Sequence, residues 1–223
     1  MPTFQQAIML EAIEARVLAK IPDGPNRDNF IGAVRAVLYR YRGSTQYADE
    51  YLATLLANDT NENRYTQEKS LLGFFVSGLA ALESFYFGAY FIGAVLQPTV
   101  FTSTARPRRI TPAETVRVFQ GAFVGDPFSV TLAAITSALQ FSEWSELRNF
   151  LAHRVSPSRE VNLTSFVSLR RRKPSGSTSR VDVWKTPVPS MLDANLTTSR
   201  LTWLTDQLVG LTQAADQFTL KHF

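Results

Sequence analysis

Apolar residues recur with a period near 3.6 along most of this chain, and that spacing predicts helix after helix. Over residues 4–20, Phe4, Ile8, Ala12, Ala15 and Ala19 fall near one face, and the "IPDGP" that follows stops the helix. A second helix is expected from about Asn26 to Tyr41. Ser44 then suits the N-cap of a short helix through Ala57, and "NDTNEN" reads as a loop. A long helix is predicted from about Thr66 to Leu96, ended by Pro98. Residues 98–111 form a loop carrying Arg106, Arg108 and Arg109, and Pro112 fits the first turn of a short helix reaching Phe119. Gly125, Asp126 and Pro127 interrupt the chain before another long helix, from about Phe128 to Arg154.

There the period changes to two. "VNLTSFVSL" and "SRVDVWK" flank "RRRKPSGST", which predicts a β-hairpin with a basic tip over residues 161–186. A last long helix, about 190–221, carries Leu192, Leu196, Leu201, Leu204, Leu208 and Leu211. The pattern as a whole predicts an all-α fold, a four-helix bundle with embellishments. Residues 1–43 are expected to be an N-terminal helical extension, and residues 45–223 the bundle, with the hairpin as an insertion.

The most apolar stretch, Leu71 to Leu96, is long enough to span a bilayer. Glu83 at its centre argues instead for a helix enclosed by neighbours, because hydrocarbon penalises a carboxylate by several kcal/mol. Enclosed, Glu83 needs an arginine or hydroxyls as partners. Gly73, Ser77, Ala81, Ser84 and Gly88 share one face of that helix and invite close approach, either by another helix of the bundle or by a second subunit.

Composition narrows the chemistry. Of the 223 residues, 45% are hydrophobic and none is cysteine, so thiolate nucleophiles, disulfides and cysteine metal sites are excluded. With only two histidines, and no HxxxH spacing, no metal site is expected, nor any cofactor. The formal charge of +4 permits an anionic partner. The first twenty residues lack a basic segment ahead of an apolar one, so a cytoplasmic protein is expected. There is neither a GxxxxGK[ST] phosphate loop nor a GxSxG nucleophile elbow.

Attention falls on "ELRNFLAHRV", residues 146–155. On a helical wheel Leu132, Ile135, Leu139, Leu147, Phe150 and Leu151 are expected to form the core stripe, whereas Ser142, Glu146, Asn149 and His153 fall in one outward sector, with Arg148 at the edge, about 100° from Leu147. Arginine, asparagine and histidine together suit a phosphodiester. Histidine exchanges a proton near neutral pH. Arginine offers a fork of donors to a phosphorane. Asparagine orients the histidine or holds a phosphate oxygen. RNA brings its own nucleophile, the 2′-hydroxyl, and a symmetric dimer supplies a second histidine across one cleft. Arg170, Arg171, Arg172 and Lys173 at the hairpin tip are candidate RNA-phosphate contacts, with a solvated tip as the alternative. Trp144, one turn before Arg148, is a candidate for base stacking, with a packing role as the alternative.

The segment "LRNFLAHR" resembles the HEPN domain family, whose motif is an arginine, four to six residues, then histidine, often with a polar residue after the arginine. The resemblance covers about residues 45–221. It implies a metal-independent endoribonuclease, active as a homodimer and leaving a 2′,3′-cyclic phosphate. Such proteins occur in toxin–antitoxin, abortive-infection and other defence systems, so a cognate antitoxin or other regulatory protein is an expected partner. Arg148 and His153 would be catalytic, Asn149 would occupy the polar position, and Glu83 is the candidate for the acidic residue that many members carry on an earlier helix. Some members are inactive and act as nucleotide- or protein-binding dimerisation modules, which is the main alternative. A helical protein associated with a membrane through residues 71–96 is a third.

Overall fold

Short polar side chains and prolines start the helices where the sequence offers them. In the computed structural model, which describes residues 4–55, 60–102, 106–153, 159–165, 178–184 and 194–223, there are seven α-helices and one two-stranded ladder. The helices are α1 Phe4–Leu18, α2 Pro25–Leu55, α3 Asn61–Leu96, α4 Pro112–Ala122, α5 Pro127–Thr136, α6 Leu139–His153 and α7 Ala194–His222. Thr60 caps α3 by accepting from Asn63 N at 3.1 Å, and Thr111 caps α4 by accepting from Glu114 N at 3.2 Å. Asp126 caps α5, with Pro127 in its first turn. The preceding Gly125 has φ 72°, a left-handed conformation that favours glycine. The class is all-α.

The ladder pairs β1 Arg159–Ser165 antiparallel with β2 Thr178–Trp184, Asn162 standing opposite Val181. Residues 166–177 between these strands lie outside the described residues.

Two helix boundaries differ from expectation. α2 runs unbroken through Arg42, Gly43 and Ser44, so the expected division between residues 1–43 and 45–223 falls inside one helix. Ser44 is no cap. It is fully buried, and its hydroxyl donates to the Phe74 carbonyl at 3.1 Å. Glycine inside a helix costs about 1 kcal/mol, but burial along α3 outweighs it. A Cβ at Gly43 would lie 3.4 Å from Ser77 Oγ, so the helices meet closely there.

The helix expected from 128 to 154 is instead two, α5 and α6, separated at Ser137 and Ala138. No proline or glycine marks this break. The Thr136 hydroxyl donates to the carbonyls of Leu132 and Ala133, a local bonding pattern that competes with regular helix. Packing then assigns the halves different neighbours: α5 lies against α4 and α7, and α6 lies against α3.

α3 is the axis of the fold, covered by α2, α4, α6 and α7. It is apolar and long enough to cross a membrane by length and composition, and 67% of its most apolar window is buried inside the bundle. Its small residues face α2 of the same chain. A Cβ at Gly73 would strike the Tyr47 ring at 2.6 Å, and one at Gly88 would lie 3.4 Å from Ala33 Cβ. The close approach expected of that stripe is therefore made by a helix within the bundle. α1 closes the fold against α7, where Arg16 pairs with Asp216 and donates to Thr219 Oγ1.

Candidate functional site

What positions α6 is a tryptophan. Trp144 is fully buried, and its Nε1 donates to the Phe75 carbonyl on α3 at 2.8 Å. Its ring lies 5.1 Å from that of Phe74 and 5.5 Å from that of Phe75. Beneath it Gly78 leaves the required space, since a Cβ there would sit 2.3 Å from Trp144 Cζ2. The base-stacking role expected for Trp144 is thereby corrected. A ring with no exposed surface and its one donor committed to the core cannot stack on a nucleobase.

One turn later, Arg148 reaches back to α3. Its Nη2 stands 3.5 Å from Glu83 Oε1, at the outer limit of a hydrogen bond. Both side chains are about one-third exposed, 32% for Arg148 and 39% for Glu83. Glu83 is not enclosed as expected, and the arginine it meets is the arginine of the "RNFLAH" segment. The pair is only half satisfied: Arg148 Nε is shielded and makes no hydrogen bond among the described residues. A guanidinium held loosely at one corner keeps donors for another anion.

Ser142, Glu146 and Asn149 are exposed, as the outward polar stripe requires, and Leu147 is fully buried on the opposite face. His153 is the last residue of α6, one turn on from Asn149. Its side chain lies outside the described residues, as do Arg170, Arg171, Arg172 and Lys173. The structure therefore brings Arg148 and Glu83 together, with Asn149 beside Arg148 on α6.

Glu83 also borders an open cleft of about 500 Å³ between α2, α3 and the start of α4. Asp28, Arg40, Ser84, Phe87 and Thr111 line it. Arg40 donates to the Ala80 carbonyl at 3.1 Å and also to the Ser84 hydroxyl. Sequence reasoning missed Arg40 and Asp28. Both lie in the segment expected to be an extension, and only the antiparallel packing of α2 on α3 brings them to the cleft that Glu83 borders. Among the described residues no group of three or more histidines or carboxylates is placed to hold a metal ion.

Comparison with protein-family models, with curated proteins and with solved structures gives no match to this chain in any of the three.

Proposed function

We propose that this chain is a HEPN-type, metal-independent endoribonuclease that works as a homodimer in the cytoplasm. A place in a toxin–antitoxin, abortive-infection or other defence system, with a cognate regulatory protein, belongs to the same reading. In fold terms, α3, α6 and α7 with the second half of α2 are the HEPN-like bundle, and the β1–β2 ladder is its insertion. The observation that carries the reading is the Arg148–Glu83 pair, which joins the motif arginine to the carboxylate of the apolar helix at 3.5 Å.

In the proposed reaction the imidazole of His153 takes the proton of a 2′-hydroxyl, and the oxygen attacks the adjacent phosphorus. Arg148 donates to the non-bridging oxygens as charge builds on them, and Glu83 keeps its guanidinium in place. Asn149 holds a phosphate oxygen or the histidine ring. The P–O5′ bond breaks, the 5′-oxygen receives a proton from the second protomer's His153, and the products are a 2′,3′-cyclic phosphate and a 5′-hydroxyl. Glu83 acts through Arg148 and is a positioning residue.

The test is cleavage of total RNA in EDTA by the wild-type chain beside His153→Ala, Arg148→Ala and Glu83→Gln. Loss of the general base lowers the rate by about 10²–10⁴-fold. The Glu83–Arg148 pair, one-third exposed, contributes at most about 1 kcal/mol to stability. Glu83→Gln is therefore expected to lose activity while melting near the wild-type temperature. Equal cleavage by all four proteins overturns the assignment. Absence of cleavage by the wild type favours the inactive HEPN-type binding module.

A further inference from the structure

The second half of α2 presents a surface that neither the core nor the proposed catalytic residues use. Arg35, Tyr39, Arg42 and Gln46 follow one another at intervals of four, three and four, which places them within about 60° on the helix. All four are exposed, and Tyr39 shows 80% of its surface. A tyrosine so exposed buries almost no apolar area, so packing does not explain it. Arg35 and Arg42 form no ion pair among the described residues.

Beside this stripe lies a second open cleft, of about 720 Å³, between α2 and α3. Tyr39, Arg40, Arg42, Tyr47, Glu50 and Lys69 are among its walls. Lys69 and Glu50 neutralise each other at 2.9 Å, which leaves Arg40 and Arg42 as its uncompensated charge. Arg40 lines this cleft and the one at Glu83 alike. The two clefts therefore meet at Arg40, and together they form a path along α2 that passes the carboxylate paired with Arg148.

We propose that this path, with the stripe beside it, binds single-stranded RNA: Arg40 and Arg42 in the clefts and Arg35 on the stripe contact phosphates, a base stacks on Tyr39, and the strand is led towards Arg148. An exposed aromatic flanked one turn away on each side by guanidinium groups meets the two needs of a single strand. Stacking holds bases irrespective of sequence, and cations hold the backbone. A duplex keeps its bases stacked inside and gains nothing from Tyr39. The inference rests on the ribonuclease reading for where the strand is led, and stands apart from it for the binding itself.

The test uses the full chain carrying His153→Ala, so that RNA survives, and a fluorescently labelled twelve-nucleotide oligouridylate read by anisotropy. Tyr39→Ala is expected to weaken binding at least fivefold with an unchanged salt dependence. Arg35→Ala with Arg42→Ala is expected to flatten the slope of log affinity against log salt by about 1.4, the share of two single-strand phosphates. All three side chains are exposed, so these variants keep the fold, and circular dichroism checks it. Wild-type affinity in the Tyr39 and Arg35/Arg42 variants overturns the proposal, as does failure of the parent chain to bind the probe. So does equal affinity for a duplex of the same length. Weakened binding in these variants, together with no RNA cleavage by the chain that keeps His153, keeps the RNA path and removes the ribonuclease. Cleavage that Tyr39→Ala and Arg35→Ala with Arg42→Ala leave untouched in the chain that keeps His153 does the reverse.

Discussion

Gly78 is where four helices meet, and replacing it by alanine isolates the contact that sets the angle of α6. The added Cβ would fall 2.3 Å from Trp144 Cζ2, 3.0 Å from Ser44 Oγ and 3.1 Å from Leu204 Cδ2. These atoms belong to α6, α2 and α7. Ser44 is anchored to the Phe74 carbonyl, and Trp144 to that of Phe75. Overpacking of this kind costs about 1–3 kcal/mol. A Trp144 ring that withdraws forfeits a hydrogen bond of about 1 kcal/mol. Alanine returns about 1 kcal/mol of helix propensity. The net expectation is a loss of about 2 kcal/mol, which for a chain of this length lowers Tm by about 4–8 °C. Gly210→Ala in α7 is the control, since nothing stands within 4 Å of its Cβ position. It should gain up to about 1 kcal/mol and raise Tm by a few degrees. Thermal unfolding followed by circular dichroism reads both. Because α6 carries Arg148, the proposed RNA cleavage should be weaker in Gly78→Ala even at temperatures where it stays folded. A Tm at or above wild type would refute the packing argument, for it would mean that Trp144 is free to move.

Two further outcomes follow from the ion pairs. Arg200 and Glu143 join α7 to the start of α6 with side chains only 10% and 16% exposed, and burial holds the Arg200 guanidinium below its ordinary pKa. Arg200→Ala should cost about 3–5 kcal/mol by stranding Glu143, whereas Arg200→Met with Glu143→Leu should come close to wild type in chemical denaturation. Equal losses in the single and double variants would count against a stranded charge. The Glu50 carboxyl is held below its ordinary pKa, first by its hydrogen bond with Lys69 and then by that with Ser70. A carboxyl with a lowered folded-state pKa stabilises the fold above its unfolded pKa, about 4.3, and loses that contribution as pH falls through the folded value. Glu50→Gln should therefore lower stability slightly at neutral pH and flatten the acid limb of the stability–pH curve below about pH 4.3, so that variant and wild type converge in acid. An acid limb of unchanged slope would remove the pair from the account.

The sequence was most legible where a local residue decides the structure. Pro112 marked the start of its helix and Gly125, Asp126 and Pro127 the break before the next, and in the structure Thr111 and Asp126 cap those helices. It was least legible where tertiary packing overrides the local signal. Gly43 and Ser44 look like a break and a cap, yet α3 needs both as small residues at its surface, and α2 passes straight through. Ser137 carries no breaker, yet the chain turns there because α5 and α6 serve different neighbours. Within the candidate site, Glu83's need for a partner could be read from its apolar surroundings. That the partner would be Arg148 required the register of α6 on α3. The burial of Trp144 was hidden for a related reason, since only the gap at Gly78 shows where its ring goes.

The contact of α1 with α7 links residues about 200 positions apart, and that separation sets an order of events during synthesis. α3 is complete once Leu96 is made, but the side of it that α7 covers waits for Leu204, Leu208, Leu211 and the residues after them. At ordinary rates of translation that interval lasts on the order of ten seconds. Throughout it, a helix with the length and apolarity of a membrane span stands partly uncovered beside the ribosome. A helix of that length and apolarity, partly uncovered for that long, suits a holding chaperone, and the Glu83–Arg148 pair cannot form until α6 has followed it out.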